Sequence, residues 1–204
     1  MAHVEKFFRV FCVFRGSRYA LLISNLKRNS RKRFEHIRPH LAGESLLDVG
    51  AAEGWVGYWA ERESGFRVEL LDVVDLNQTR LPHLLYDGSR FPYPDDSFDT
   101  VTLLLTLHHC AAPEQVLGEA QRVARQCIIV TESVYHTRPG KTLLTFMDRA
   151  FNTLRSGGRM PGALNFKTPP EWRDLFARLN LTLETETWLS RGLHQQKLFV
   201  LRPG

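Results

Sequence analysis

Leu46-Leu47-Asp48-Val49-Gly50-Ala51-Ala52-Glu53-Gly54-Trp55-Val56-Gly57 decides the reading of this chain. A short apolar run ends in an acid, passes through a turn of small residues and enters a helical pattern over about 54–64. An apolar run of this length is what a strand buried on both faces looks like. Small residues at its end let the backbone approach a ligand closely. Ala52 stands where a dinucleotide fingerprint carries its second glycine, so a pyrophosphate site is disfavoured. Asp48 at the strand end suits an amine-bearing ligand better than a phosphate.

Working outward, Arg67–Val74 reads as a second strand and places Asp72, or Asp75, roughly 20 residues after the turn, where a carboxylate can take both hydroxyls of a ribose. A short link holding Pro82 leads to a third strand near 83–86, with Asp87-Gly88 at its end. Phe98–Leu107 and Cys127–Val130 are further apolar runs, separated by a helix that Pro113 opens. Thr168-Pro169-Pro170-Glu171 has capping-box spacing, and two strands, 181–188 and 197–202, close the chain. This alternation predicts an α/β, Rossmann-like doubly wound sheet of about seven strands.

The chain has 204 residues, 43% of them hydrophobic and 24% charged, which suits a single globular unit and excludes low-complexity or collagen-like architectures. Three scattered cysteines with no CxxC pair argue against a disulfide framework or a structural zinc site, and for a reducing cytoplasmic setting. No apolar run reaches the length of a membrane span, and no signal peptide is read at the N-terminus. Residues 1–40 carry ten Lys/Arg against two acids, net +8, while the remaining 164 residues are net −3. The expectation is an N-terminal helical arm or lid over 1–43, ahead of a domain over 44–204. Three helical patterns are read in the arm: 4–14 with a Phe-rich face, a second capped by Ser17, and a third preceded by Ser30. The first has the character of an interfacial helix, so peripheral contact with anionic membrane is an expectation. The same face serves a lid or a dimer, so an oligomer is a further expectation.

The pieces LLDVGAAEG, VELLDVVD, YDGSRFPYPDDSFDTV and LLTLHH stand in the order and spacing of a known family. Over about residues 44–133 the chain resembles a small, type-11-like class I S-adenosylmethionine-dependent methyltransferase. The resemblance implies a seven-stranded sheet with an antiparallel last strand and S-adenosylmethionine as cofactor. It also implies that Asp48 with the Gly50, Ala51, Ala52 and Gly54 turn holds the methionine moiety. Asp72 would hold the ribose, Val73 would pack on the adenine, and Asp87 beside Gly88 would receive the adenine amine. Two departures stand out. The helix between the second and third strands is nearly absent, and Ala124-Arg125-Gln126 replaces the usual Pro-Gly-Gly turn.

His108-His109-Cys110 follows the fourth strand, where the methyl donor should point. An acceptor hydroxyl loses a proton on methylation, and an imidazole suits that task, so His108 or His109 is the candidate general base. No metal is expected here, because adjacent side chains of an extended segment point apart. Phe146, Met147 and Phe151 are candidates for an apolar substrate wall, and Asn165-Phe166-Lys167 for the same pocket. The expected function is O-methylation of a small, apolar, aromatic or lipid-like acceptor. One alternative is a tRNA methyltransferase using the basic arm, though Lys27–Arg33 lacks interleaved aromatics and nucleic acid is the less favoured partner. The other is an inactive cofactor-binding partner subunit.

Overall fold

The computed structural model describes residues 24–156, 162–192 and 194–204. The patterns read over 4–14 and from Ser17, and most of the Gly157–Gly162 loop, lie outside these residues.

A helix over residues 24–37 (α1) opens the described chain. It runs through Ser30 instead of starting there. Leu26, Phe34 and Ile37 lie on one face and are buried, so a single apolar stripe spans the serine. Pro39 ends it as expected, inside the short turn Arg38–His40. β1 (Ser45–Val49) is buried at all five positions. α2 (Trp55–Ser64) follows between left-handed Gly54 and Gly65, and leads to β2 (Arg67–Asp72). Residues 73–82 form no helix, as their shortness and Pro82 predicted, and reach the three-residue β3 (His83–Leu85).

β4 (Phe98–Leu104) stops earlier than its apolar run, because Leu105 takes φ +60° and Leu107–His109 coil into a 3-10 turn. α3 (Pro113–Val123) passes straight into β5 (Ala124–Ser133), so the missing Pro-Gly-Gly makes a direct helix-to-strand turn. α4 (Arg138–Ser156) comes next. α5 (Pro169–Arg178) starts at the expected capping box: Thr168 Oγ1 accepts from Glu171 N–H, and the Glu171 carboxylate accepts from Thr168 N–H at 2.7 Å. β6 (Thr182–Ser190) and β7 (Gln196–Arg202) close the chain.

The seven strands lie in the order β3-β2-β1-β4-β5-β7-β6. β1 to β5 are parallel, and β7 is antiparallel to both β5 and β6. Two apolar cores flank the sheet. One joins Leu47, Val49, Val101, Leu103 and Val130 to α3 and to Trp172 and Phe176 of α5. The other joins Leu46, Val68, Leu70 and Ile129 to α2 and to Phe34 and Ile37 of α1. Successive residues of a strand point to opposite faces, which is why Leu46 and Leu47 serve different cores. No helix among the described residues is long and apolar enough to cross a membrane. The strand order reverses between β1 and β4, which puts the ligand crevice at their carboxyl ends.

Candidate active site

The turn after β1 is held open by its backbone. Gly50, Ala52 and Gly54 take φ of +68°, +50° and +76°. A Cβ on Gly50 would lie 2.4 Å from Cγ2 of Thr106, the residue facing it across the crevice from the end of β4. The Ala52 N–H donates to Asp72 Oδ2 at 2.8 Å, and the Val73 N–H donates to Asp72 Oδ1 at 2.7 Å. Asp72 thus ties the ends of β1 and β2 together. Thr102 donates its hydroxyl to Asp48 at 2.8 Å. Burial pushes the Asp48 carboxyl up to about 6, against the opposing pull of that hydrogen bond. Asp87 accepts from the Ser89 N–H at 2.9 Å and from its hydroxyl, which hold the carboxyl below the usual range.

Two cavities meet here. One, of about 420 Å³, is lined by Gly50, Asp72, Val73, Asp87, Gly88 and Leu105 among others. The other, of about 320 Å³, reaches from Asp48, Ala51, Ala52 and Glu53 to Arg33 of α1, His108, and Met147, Asp148, Phe151 and Asn152 of α4. Gly50, Leu105 and His109 line both. Asp75, the alternative ribose ligand, is 71% exposed, faces His83 at 3.7 Å and lines neither cavity, so of the two acids only Asp72 faces a cavity. Phe146 corrects the expected apolar wall. It is 72% exposed on the outer side of α4, since one residue of helix is a rotation of about 100° away from Met147.

The histidines are built from distant segments. Glu132, at the end of β5 and fully buried, accepts from the Leu107 N–H at 2.8 Å with one oxygen, and its other lies 2.6 Å from His108 Nδ1. Phe166 stacks on the His108 ring with centroids 4.7 Å apart. Leu164 and Asn165 N–H groups donate to the His108 carbonyl, and the Asn165 amide donates to the Cys110 carbonyl. Burial lowers the His108 imidazole, but the charge of Glu132 and the nearby Asp148 carboxylate outweigh it and raise the group to about 9. His109 is lowered, by burial first and by the charge on His108 second. Burial pushes the Cys110 thiol up to about 12, so it is no thiolate nucleophile. The rings of His108 and His109 lie 4.1 Å apart. The expectation that neighbouring side chains diverge fails because residues 107–109 form a 3-10 turn, not a strand.

Residues 47–130 match the family described as a methyltransferase domain. Over 97 residues the chain is 32% identical to methyltransferase GfsG of Streptomyces halstedii, covering 41% of this chain and 35% of that protein. Over 114 residues it is 26% identical to the uncharacterized methyltransferase YcgJ of Bacillus subtilis, covering 50% of this chain and 42% of that one. The matches therefore span less than half of either relative's length. The geranyl diphosphate C-methyltransferase from Streptomyces coelicolor A3(2), solved with Mg2+, geranyl diphosphate and S-adenosyl-L-homocysteine, superposes with a TM-score of 0.65. That superposition covers 84% of this chain and 77% of that chain at 13% identity, which shows a shared fold. The domain match, the two relatives and the shared fold together support a class I S-adenosylmethionine-dependent methyltransferase family for this chain.

The residues present fit the cofactor of that family. Carboxylates end β1 and β2, a third follows β3, and the turn beside them has no room for a larger side chain at Gly50. This donor set matches an amine, a diol and a second amine. Residues of the candidate site that escaped the sequence reading include Arg33 and His194 in the cavity wall, and Glu132, Asp148 and Asn152 around the histidines. Glu132 is one more acid at the carboxyl end of a strand, the same signal that marked Asp48 and Asp72. Asp148 and Asn152 are spaced i, i+4 on α4 and hydrogen-bonded at 2.9 Å, interleaved with the Met147 and Phe151 that drew attention as apolar residues.

Proposed function

We propose that this methyltransferase transfers the methyl group of S-adenosylmethionine to an oxygen of a small acceptor held in the cavity beneath α4. One observation carries the reading: the cavity lined by Asp72, Val73 and Asp87 adjoins the histidine-lined cavity and shares Gly50, Leu105 and His109 with it. A cofactor laid along the first, with its methionine end at Asp48, presents its methyl group at that junction.

S-adenosylmethionine supplies a sulfonium-bound methyl group. The chain's own work is alignment. Asp48, Asp72 and Asp87 fix the donor, and the walls from α1 and α4 fix the acceptor. His108, His109 and Asp148 together promote loss of the acceptor hydroxyl's proton, in place of the expected lone histidine base. The wall around the acceptor is mixed: Trp55, Val56, Leu104, Met147 and Phe151 stand beside Arg33, Asp148, Asn152 and His194, which suits an acceptor with an apolar body and a polar group.

Two of the basic residues of α1, Lys27 and Arg31, are engaged within the chain. Lys27 Nζ sits over the rings of Trp55, Tyr58 and Trp59, and Arg31 pairs with Glu63 at 3.1 Å. That supports a small molecule over RNA as acceptor.

The test uses purified protein, methyl-labelled S-adenosylmethionine and a cell extract. Label in solvent-extractable small molecules is the expected result. Label in RNA overturns the acceptor class, and cofactor binding without any transfer points to the inactive-subunit alternative.

A further inference from the structure

The ring nitrogens of the two histidines converge on one carboxylate. His108 Nε2 lies 3.6 Å and His109 Nε2 3.7 Å from Asp148 Oδ1. Both separations are too long for hydrogen bonds. One ligand atom from each residue lies within 4.8 Å of the other two, and among the described residues no other three His, Cys, Asp or Glu side chains converge in this way. Two donors bound to one cation at about 2.0–2.2 Å stand about 3–3.6 Å apart. The two His–Asp separations need to close by at most a few tenths of an ångström, and the two imidazole nitrogens, within 4.8 Å of each other, by at most about 1–2 Å, for all three donors to seat.

We propose that His108, His109 and Asp148 hold a divalent first-row transition-metal ion, to which the acceptor's oxygen binds. The acceptor part rests on the methyl-transfer reading; the metal site does not.

Four features support the site. Glu132 takes the Nδ1 side of His108 at 2.6 Å, which fixes the ring and leaves Nε2 as the ligand atom. A carboxylate behind a histidine is the usual support of a metal-bound imidazole. Asp148 Oδ2 is buried with no hydrogen-bond partner. A buried carboxylate oxygen left without a partner is costly, and a bound cation removes the cost. The two carboxylates, Glu132 and Asp148, give the pocket the charge a cation needs. Two imidazoles and one carboxylate are a donor set for Zn2+, Fe2+ or Co2+ rather than Mg2+ or Ca2+.

Three protein ligands leave coordination positions open, and His109 places them at the junction of the two cavities. An acceptor hydroxyl bound there is acidified and gives its proton to solvent. The O–CH3 bond then forms as the S–CH3 bond of the sulfonium breaks, leaving a methyl ether and a thioether. The site thereby selects acceptors whose hydroxyl can bind a cation as its oxyanion.

The experiment uses the untagged full-length chain after chelator treatment and desalting. Zn2+ is titrated by calorimetry and Co2+ by visible absorption, with S-adenosyl-L-homocysteine affinity measured in parallel. One equivalent of Zn2+ or Co2+ should bind, with no competition from excess Mg2+. Binding should be lost in Asp148→Asn and His109→Gln, and weakened about 10–100-fold in Glu132→Gln. It should be unchanged in Phe146→Ala, on the outer side of the same helix. Circular dichroism and homocysteine-derivative binding identify any variant that has failed to fold. Absence of stoichiometric Zn2+ and Co2+ binding, or binding that survives in both Asp148→Asn and His109→Gln, overturns the metal site. If S-adenosyl-L-homocysteine still binds in that case, the methyltransferase reading stands. If it does not bind the wild type, that reading fails on its own account.

Discussion

The cofactor half and the acceptor half of this molecule are built in opposite ways. The proposed cofactor half comes from one stretch of chain, with Asp48, Asp72 and Asp87 each at or just after the carboxyl end of a successive strand; backbone N–H groups brace Asp72 and Asp87, and the Thr102 hydroxyl braces Asp48. The acceptor half is assembled from α1, the turn after β4, the end of β5, α4 and the segment before α5. A local site is written in a motif. A site made of single residues from five places is written in none. The difference also says where each half is vulnerable: the first to changes in backbone geometry, the second to loss of a single side-chain partner.

The largest expected effect is in the cofactor half. Gly50→Val puts a branched side chain where a Cβ alone would stand 2.4 Å from Thr106, at φ +68°. The backbone strain is about 1–2 kcal/mol before any clash. Loss of S-adenosyl-L-homocysteine binding and of transfer is expected, with a lowered Tm. Binding equal to wild type would show that the turn does not touch the ligand.

The acceptor half is separated from it by Asp148→Ala, at a residue that lines only the histidine cavity. Turnover should fall about 100-fold or more, the usual worth of a group that promotes proton loss from the acceptor, with S-adenosyl-L-homocysteine affinity unchanged. A parallel loss of affinity would mean that the two halves are not independent.

Asp72→Ala removes the brace and the proposed ribose acceptor together. Charge-assisted hydrogen bonds are worth about 1.5–3 kcal/mol, so cofactor affinity should fall about 10–100-fold by calorimetry. Asp75→Ala, at a position 71% exposed, should leave it within about 2-fold. Equal effects would erase the distinction that burial draws between these acids.

The smallest effect concerns stability. Asp48 is raised to about 6 by burial, so the folded chain holds its proton more tightly than the unfolded one. The apo protein then loses stability as pH rises from about 4 to about 6, and no more above that. Asp48→Asn should raise the apo Tm at pH 8 by a few degrees, by at most about 3 kcal/mol, and make no difference near pH 4. Its cofactor affinity should fall, because the amine loses its carboxylate. A Tm unchanged at pH 8 would show that Asp48 is solvated.

These contrasts also explain what could be read in advance. The parallel strands, the Pro-led helices and the Thr168 cap follow from short-range patterns, and they appear within a few residues of where those patterns place them. The strand-end acids were legible because each closes an apolar run. The reading of Ser30 as a helix start failed because Leu26 and Phe34, on either side of it, share a buried face. Phe146 failed because an apolar helical segment does not reveal which third of its surface turns inward. Glu132, Asp148 and Asn152 were missed because their meaning lies in contacts across the fold: Glu132 takes on a role only when the 3-10 turn brings His108 to it.

The central claim is that the strand-end acids form a cofactor site. Calorimetric titration of S-adenosyl-L-homocysteine into the wild-type chain, Asp72→Ala and Asp75→Ala tests it most directly. Saturable binding of one ligand per chain, weakened by Asp72→Ala and untouched by Asp75→Ala, is the predicted result. No saturable binding to the folded wild-type chain would contradict the account.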